Sequence, residues 1–303
     1  MAGALERAVA GLIQPEGGPR IDFRAPLGEP ALVAPDSVSW RVFKNPVALF
    51  IGGAAAVLLE LAEPRVRSGV WDHSSFKSAP LKRLQRTGLA AMVTVYGARS
   101  VAEAMIAGVG RMHGRVSGVT PDGQAYRADD PDLLNWVQAT ASFGFLEAYH
   151  SFVAPLSAAD RDRFYAEGGA ASALYGATGA PRSEAQREAQ FAAMLPSLEA
   201  SDIVFEFLDI MRATPLLPAP LHLLQRPLLR AAVSLVPPEV REILGLGPAF
   251  GLRPLERRVI RLAGAAADRA PIAGTPAVES CLRLGLPADF LFRRPREARR
   301  DGV

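Results

Sequence analysis

Hydrophobic positions recur at three- and four-residue spacing along most of this chain, and strict alternation of apolar and polar residues is scarce. From Pro46 onward the pattern predicts helices over residues 46–62, 80–97, 99–117, 130–154, 157–167, 184–195, 200–212, 219–234, 238–245, 253–268 and 275–284. Start signals support several of them. Ser157 stands three residues before Asp160, Ser183 precedes a Glu-Ala-Gln-Arg-Glu run, and Pro238 sits early in its helix. Gly- and Pro-rich stretches at 168–182 and 214–220 read as connectors. The one hairpin signal lies at 115–128, where Gly118 and Pro121-Asp-Gly123 make turns between short β-like runs. Ahead of the helices, Leu5, Ala8, Val9, Leu12 and Ile13 form a short amphipathic pattern over 3–13, and glycines and prolines dominate 15–35. Ser37 or Ser39 is placed to cap an element around 40–44. The expectation is an all-α chain with an N-terminal arm (1–35), a single helical domain carrying a short β-turn insertion (36–285) and a basic tail (286–303).

Composition narrows this picture. A hydrophobic share of 49% over 303 residues is enough for a large core and excludes disorder for most of the length. The net charge is only +3, so no broad electrostatic footprint for nucleic acid is present despite the basic pI. The dense basic cluster Arg293, Arg294, Arg296, Arg299 and Arg300 reads as a solvated tail. Residues 47–59 make a run of thirteen apolar residues closed by Glu60. That is short of the about 18 to 20 needed to span a bilayer. Gly52 and Gly53 within it suggest a closely packed, buried helix. No transmembrane segment is expected, and peripheral membrane contact stays open. The single cysteine, Cys281, excludes an internal disulfide and cysteine-rich metal sites, and its apolar surroundings make it a packing residue. Glu6 and Arg7 break the N-terminal apolar stretch, so no secretory signal is visible and a cytoplasmic location is expected.

Only four histidines offer imidazole chemistry. His113 follows Val109 by four residues, on or beside an apolar stripe of Val101, Met105, Val109, Met112 and Val116. An imidazole in an apolar wall wants a partner for each nitrogen, either as a satisfied core residue or as a metal ligand. Gly110 and Gly114 beside it let something flat, a porphyrin or another helix, approach the backbone. His73, among Asp72 and two serines at a helix end or turn, is a rival ligand; His150 and His222 read as structural. Arg83, Arg86 and Thr87 share one helix face at i, i+3, i+4, on a helix that runs on into the apolar stretch 89–96. Hydrolase signatures, phosphate-binding glycine loops and the Glu-x-x-His pairs of di-iron bundles are absent.

An ordered series of motifs adds a family resemblance. It runs Arg41-Val-Phe-Lys-Asn-Pro-Val-Ala-Leu-Phe-Ile-Gly-Gly53, Ala62-Glu-Pro-Arg-Val66, Gly69-Val-Trp-Asp-His-Ser-Ser-Phe76 and Arg83-Leu-Gln-Arg-Thr87. It continues through Val109-Gly-Arg-Met-His-Gly-Arg-Val-Ser-Gly118, Tyr126-Arg-Ala-Asp-Asp-Pro131 and Trp136-Val-Gln-Ala-Thr140. Over residues 38 to 270 this series resembles the oxygenases related to the fungal mycophenolic-acid pathway oxygenase MpaB and the bacterial latex-clearing rubber oxygenases.

The resemblance implies a globin-like helical core that binds haem b and uses O₂ to cleave C=C bonds. It implies that His113 is the proximal iron ligand and that Arg83, Arg86 and Thr87 stand on the distal side as catalytic groups. Arg83, Arg86 and Thr140 would also contact the haem. Arg86 occupies the position where the rubber enzymes carry a lysine able to ligate iron. Arginine stays protonated and is a poor ligand, so an open or water-bound sixth position is implied. Gln138 replaces a histidine common in the tryptophan motif. The expected partners are O₂ and a hydrophobic, lipid-like substrate held between the helices near 47–59 and 89–95. The alternative reading is a helical protein that binds haem or an apolar ligand without turnover.

Overall fold

A computed structural model describes residues 20–217 and 221–293. The N-terminal amphipathic pattern at 3–13 and the arginines at 294, 296, 299 and 300 lie outside the described residues. The chain is mostly helical. In order, the longer elements are α1 (Val38–Phe43), α2 (Pro46–Glu60), α3 (Pro64–His73), α4 (Pro80–Tyr96), α5 (Arg99–His113), α6 (Pro131–Phe152) and α7 (Ala158–Glu167). They continue with α8 (Gly169–Leu174), α9 (Glu184–Met194), α10 (Asp202–Ala213), α11 (Gln225–Leu235), α12 (Pro238–Ile243), α13 (Pro254–Ala267) and α14 (Pro276–Arg283). The expected all-α class is therefore observed. A hairpin of β1 (Ser117–Val119) and β2 (Ala125–Arg127), paired antiparallel with Gly118 opposite Tyr126, forms the sheet among the described residues.

The sequence signals explain where helices begin. Ser37, Ser157 and Ser183 each accept a backbone N–H of the first turn, and Asn45 accepts two, those of Val47 and Ala48. Proline occupies the first turn of α2, α3, α4, α6, α12, α13 and α14, where its missing N–H costs nothing. Two helices were not expected from periodicity. The stretch 64–73 forms α3 although it buries polar groups, Arg67 and Ser68, beside Val66 and Trp71; the Glu63 carboxylate caps it by accepting the Val66 N–H at 2.8 Å. Within the stretch 168–182, read as a connector, residues Gly169–Leu174 form α8, too short for a periodic signal.

The core is organised on α2 and α6, which pack side by side. Gly52 and Gly144 face each other so closely that a Cβ on Gly52 would sit 2.7 Å from the Gly144 carbonyl oxygen and from Phe145 Cα. The close packing expected around Gly52 and Gly53 is thus confined to Gly52; a Cβ on Gly53 would meet only a ring carbon of Phe145 at 3.8 Å. No single described helix is long and apolar enough to cross a membrane. Cys281 is buried, and burial raises its thiol to about 11, as befits a packing residue.

Polar contacts tie the periphery to this core. The Arg283 side chain is buried and donates to the carbonyls of Glu29 (2.9 Å), Phe23 (2.9 Å) and Tyr96 (2.7 Å). It thereby fastens the turns of residues 23–29 to α14 and to the end of α4. Lys44 donates to the Asp268 and Leu291 carbonyls at 2.9 and 2.8 Å, and Asn45 donates to the Gly264 carbonyl at 2.9 Å. These bonds join the start of α2 to the end of α13.

Candidate functional site

Charged and titratable groups of α2, α4 and α5 converge electrostatically near the end of α2. Glu60, the last residue of α2, is largely withdrawn from solvent. Burial raises its carboxyl to about 7, against the opposing pull of the Arg83 guanidinium and a hydrogen bond with Thr140. Thr140 is fully buried on α6, and its hydroxyl also lies 2.9 Å from the Val137 carbonyl of its own helix. Arg83 reaches in from α4. Desolvation pulls its pKa down, Glu60 pushes it back up and Arg86 adds repulsion; arginine remains charged throughout. The Arg83 guanidinium also donates to the Thr87 hydroxyl one turn on, and that hydroxyl lies 3.1 Å from the Arg83 carbonyl.

His113 closes α5. Burial lowers its pKa, the Arg83 charge lowers it further, and Asp129 pulls the other way. The neutral imidazole with an available lone pair is therefore favoured near neutral pH. Asp129 is itself gripped by Arg127, through Nε at 3.0 Å and Nη2 at 2.8 Å, just past the hairpin. Around these groups the backbone is open: a Cβ on Gly88 of α4 or on Gly110 of α5 would meet nothing within 4 Å. Gly114 is more confined, its Cβ position lying 3.7 Å from Asp129 Oδ2.

Arg83 is thus within electrostatic reach of both Glu60 and His113, Thr140 joins the group through its hydrogen bond with Glu60, and Thr87 is attached through Arg83. Arg86 is exposed, as Thr87 is, and it acts on the group by repelling Arg83. The apolar stripe drawn through His113 needs correction. Val101, Met105 and Val116 do pack, partly buried, against the core, but the fully buried positions of α5 are Ala102 and Ile106, and Met112 is 59% exposed.

The other histidines are engaged elsewhere. His73 Nε2 lies 3.1 Å from the Tyr126 hydroxyl, and His150 Nδ1 accepts the Leu156 N–H at 3.0 Å. His222 is exposed in the turn Leu221–Leu224. Gln138 donates to Ser142 Oγ at 3.3 Å on its own helix. Reasoning from sequence missed Glu60, which reads there as the polar stop to an apolar run. Its position directly after thirteen apolar residues is the signal that was available: a carboxyl ending a core helix is desolvated.

No functionally characterised protein and no solved structure matches the chain. Comparison with known protein families does give a match. Residues 40–269, which contain every residue of the convergence described above, match the family described as ER-bound oxygenase mpaB/B'/Rubber oxygenase, catalytic domain. The chain belongs to this mpaB/rubber oxygenase family, as the order of its motifs implied, and carries the oxygenase catalytic domain.

Proposed function

We propose that this oxygenase depends on haem b, that His113 is its axial ligand, and that it uses O₂ to oxidise or cleave C=C bonds of a hydrophobic substrate. The observation that carries the reading is the Arg83 guanidinium of α4, which acts on both the carboxyl of raised pKa at the end of α2 and the neutral imidazole at the end of α5. Gly88 and Gly110, exposed on the same two helices as Arg83 and His113, leave space free beside them.

The donor set suits a macrocycle. Among the described residues no three His, Cys, Asp or Glu side chains gather to hold a bare metal ion. A single imidazole is what the fifth position of a porphyrin iron requires, because the macrocycle supplies the other four nitrogens. Among the described residues no hydrogen bond occupies either nitrogen of the His113 ring. The Arg83 guanidinium is a fitting partner for a carboxylate such as a propionate.

Bound haem would supply an iron at which O₂ can bind and be reduced. The chain's own residues contribute charge, a proton and exclusion of water. Arg83 holds a fixed positive charge, already oriented by Thr87 and Glu60, where negative charge would develop. Glu60, with a pKa of about 7, can hold a proton at its carboxyl or give it up near neutral pH, which suits an acid–base group. Thr140 fixes that carboxyl by hydrogen bonding. Buried Leu89, Met92 and Val93 on α4 provide apolar packing next to the site helices. Arg86, being exposed, contributes through its repulsion of Arg83 and through contacts at the rim.

The test is product analysis under ¹⁸O₂ with unsaturated lipids and isoprenoids. Incorporation of label into carbonyl products supports cleavage. Haem binding with no O₂ uptake on any unsaturated substrate would replace this reading with that of a non-catalytic carrier.

A further inference from the structure

Helix α13 hides one face and leaves the other without a partner. Ile260 and Gly264 are buried, Gly264 so tightly against the end of α6 that a Cβ there would sit 2.5 Å from the Phe152 carbonyl oxygen. On the opposite side, Leu255 and Leu262 are 72% and 73% exposed and Val259 is 40% exposed. Steps of four and three residues align them in a single stripe along the helix. Ten large hydrophobic side chains are exposed among the described residues, and three of them lie on this stripe. Two more, Leu221 and Leu223, lie on the turn leading into α11, which packs beside α13.

The charges on this helix are sorted by face. Its one acidic residue, Glu256, turns inward, lying 3.6 Å from Arg230 and accepting the Arg253 N–H at 3.0 Å. Asp268 at its C-cap is also turned inward, accepting the Tyr149 hydroxyl and pairing with Lys44 at 3.3 Å. Arg258 and Arg261 are exposed, adjoin the apolar stripe, and have no ion pair among the described residues. Arg253 and Arg269 are exposed at its two ends.

We propose that the outward face of α13 docks the protein on an anionic lipid bilayer. Leu255, Val259 and Leu262 enter the boundary between headgroups and acyl chains, while Arg258 and Arg261 stay at headgroup level and meet anionic lipid. The sorting of charge selects this occupant. In a two-fold self-interface the same arginines would face each other without a carboxylate on the helix to separate them. Three apolar side chains also fall well short of the about 800 Å² per partner of a stable protein contact. The inference stands on exposure and charge, and does not depend on the haem chemistry proposed above.

The test is flotation of the full chain with phosphatidylcholine–phosphatidylserine vesicles and with phosphatidylcholine vesicles, alongside light scattering for mass. We expect flotation with the anionic vesicles that weakens as salt rises, and roughly tenfold or greater loss in either of two double variants. These are Leu255→Ser with Leu262→Ser, which removes the insertion, and Arg258→Gln with Arg261→Gln, which removes the charge. All four side chains point outward, so far-UV circular dichroism and melting temperature should match the parent. Absence of flotation, flotation unaffected by both variants, or a dimer that the leucine variant dissolves would each overturn the proposal.

Discussion

The α2–α6 seam and the α4–α5 flank both carry glycines in their helices, and the two regions use them in opposite ways. At the seam, Gly52 and Gly144 let two backbones touch, leaving no room for even a methyl group. At the flank, Gly88 and Gly110 face open space, Thr87 and Met112 are exposed, and His113 is only partly buried. The seam is close-packed, backbone against backbone. The flank leaves packing incomplete next to charged and titratable groups. Glu60 and Thr140 sit where the two meet: they are built on the seam but face the flank. Such an arrangement holds reactive side chains on stiff supports while keeping space free beside them.

The sharpest way to break this comparison is to add one methyl group at each region. Gly52→Ala forces Cβ into the α6 backbone, which cannot move away as a flexible side chain could. A loss of about 3 kcal/mol in urea unfolding is expected, near the upper end for overpacked cores. An unchanged midpoint would show that the seam is not tight. Next in size is Arg283→Met, which leaves the Glu29, Phe23 and Tyr96 carbonyls without their donor; about 2 kcal/mol should be lost in the same assay.

Glu60 comes third. A carboxyl raised from 4.5 to about 7 binds its proton more tightly in the folded chain than in the unfolded one. Its contribution therefore falls as pH rises from 4.5 through 7 and is constant above. Glu60→Gln should flatten that limb and stabilise the protein at pH 8 by about 2 kcal/mol relative to its effect at pH 5. Parallel pH–stability curves for parent and variant would remove Glu60 from the interior. The smallest effect is expected from Gly110→Ala, whose Cβ meets nothing. Here stability should rise by up to about 1 kcal/mol through helix propensity alone. Destabilisation of the Gly52→Ala kind would erase the difference between the regions.

Much of this architecture is legible in the chain. Capping residues, first-turn prolines and apolar patterning locate α2, α4, α6, α9 and α13 to within a few residues, α2 by its unbroken apolar run and the others by their recurring apolar positions. Helix α3 was hidden because buried Arg67 and Ser68 break its apolar pattern, and its cap is a glutamate. His113, Arg83 and Thr140 stand out through motif order, but their meeting is a tertiary event that no spacing reveals. Glu60 illustrates the limit best. In sequence it ends an apolar run, and only the packing of α2 on α6 and the reach of Arg83 from α4 give it a hydroxyl and a cation to work with. Arg86, on the same helix face by spacing, is exposed and bears on the group through its charge on Arg83.

The proposed role of His113 as a haem ligand can be read from the visible absorption spectrum of the protein reconstituted with haem. A stoichiometric Soret band is expected in the parent, with the ferrous–CO spectrum of an imidazole-ligated iron. In His113→Ala that spectrum should be lost and haem retention reduced at least tenfold, with recovery on addition of free imidazole. A His113→Ala protein that retains its full complement of haem and the same ferrous–CO spectrum would contradict it.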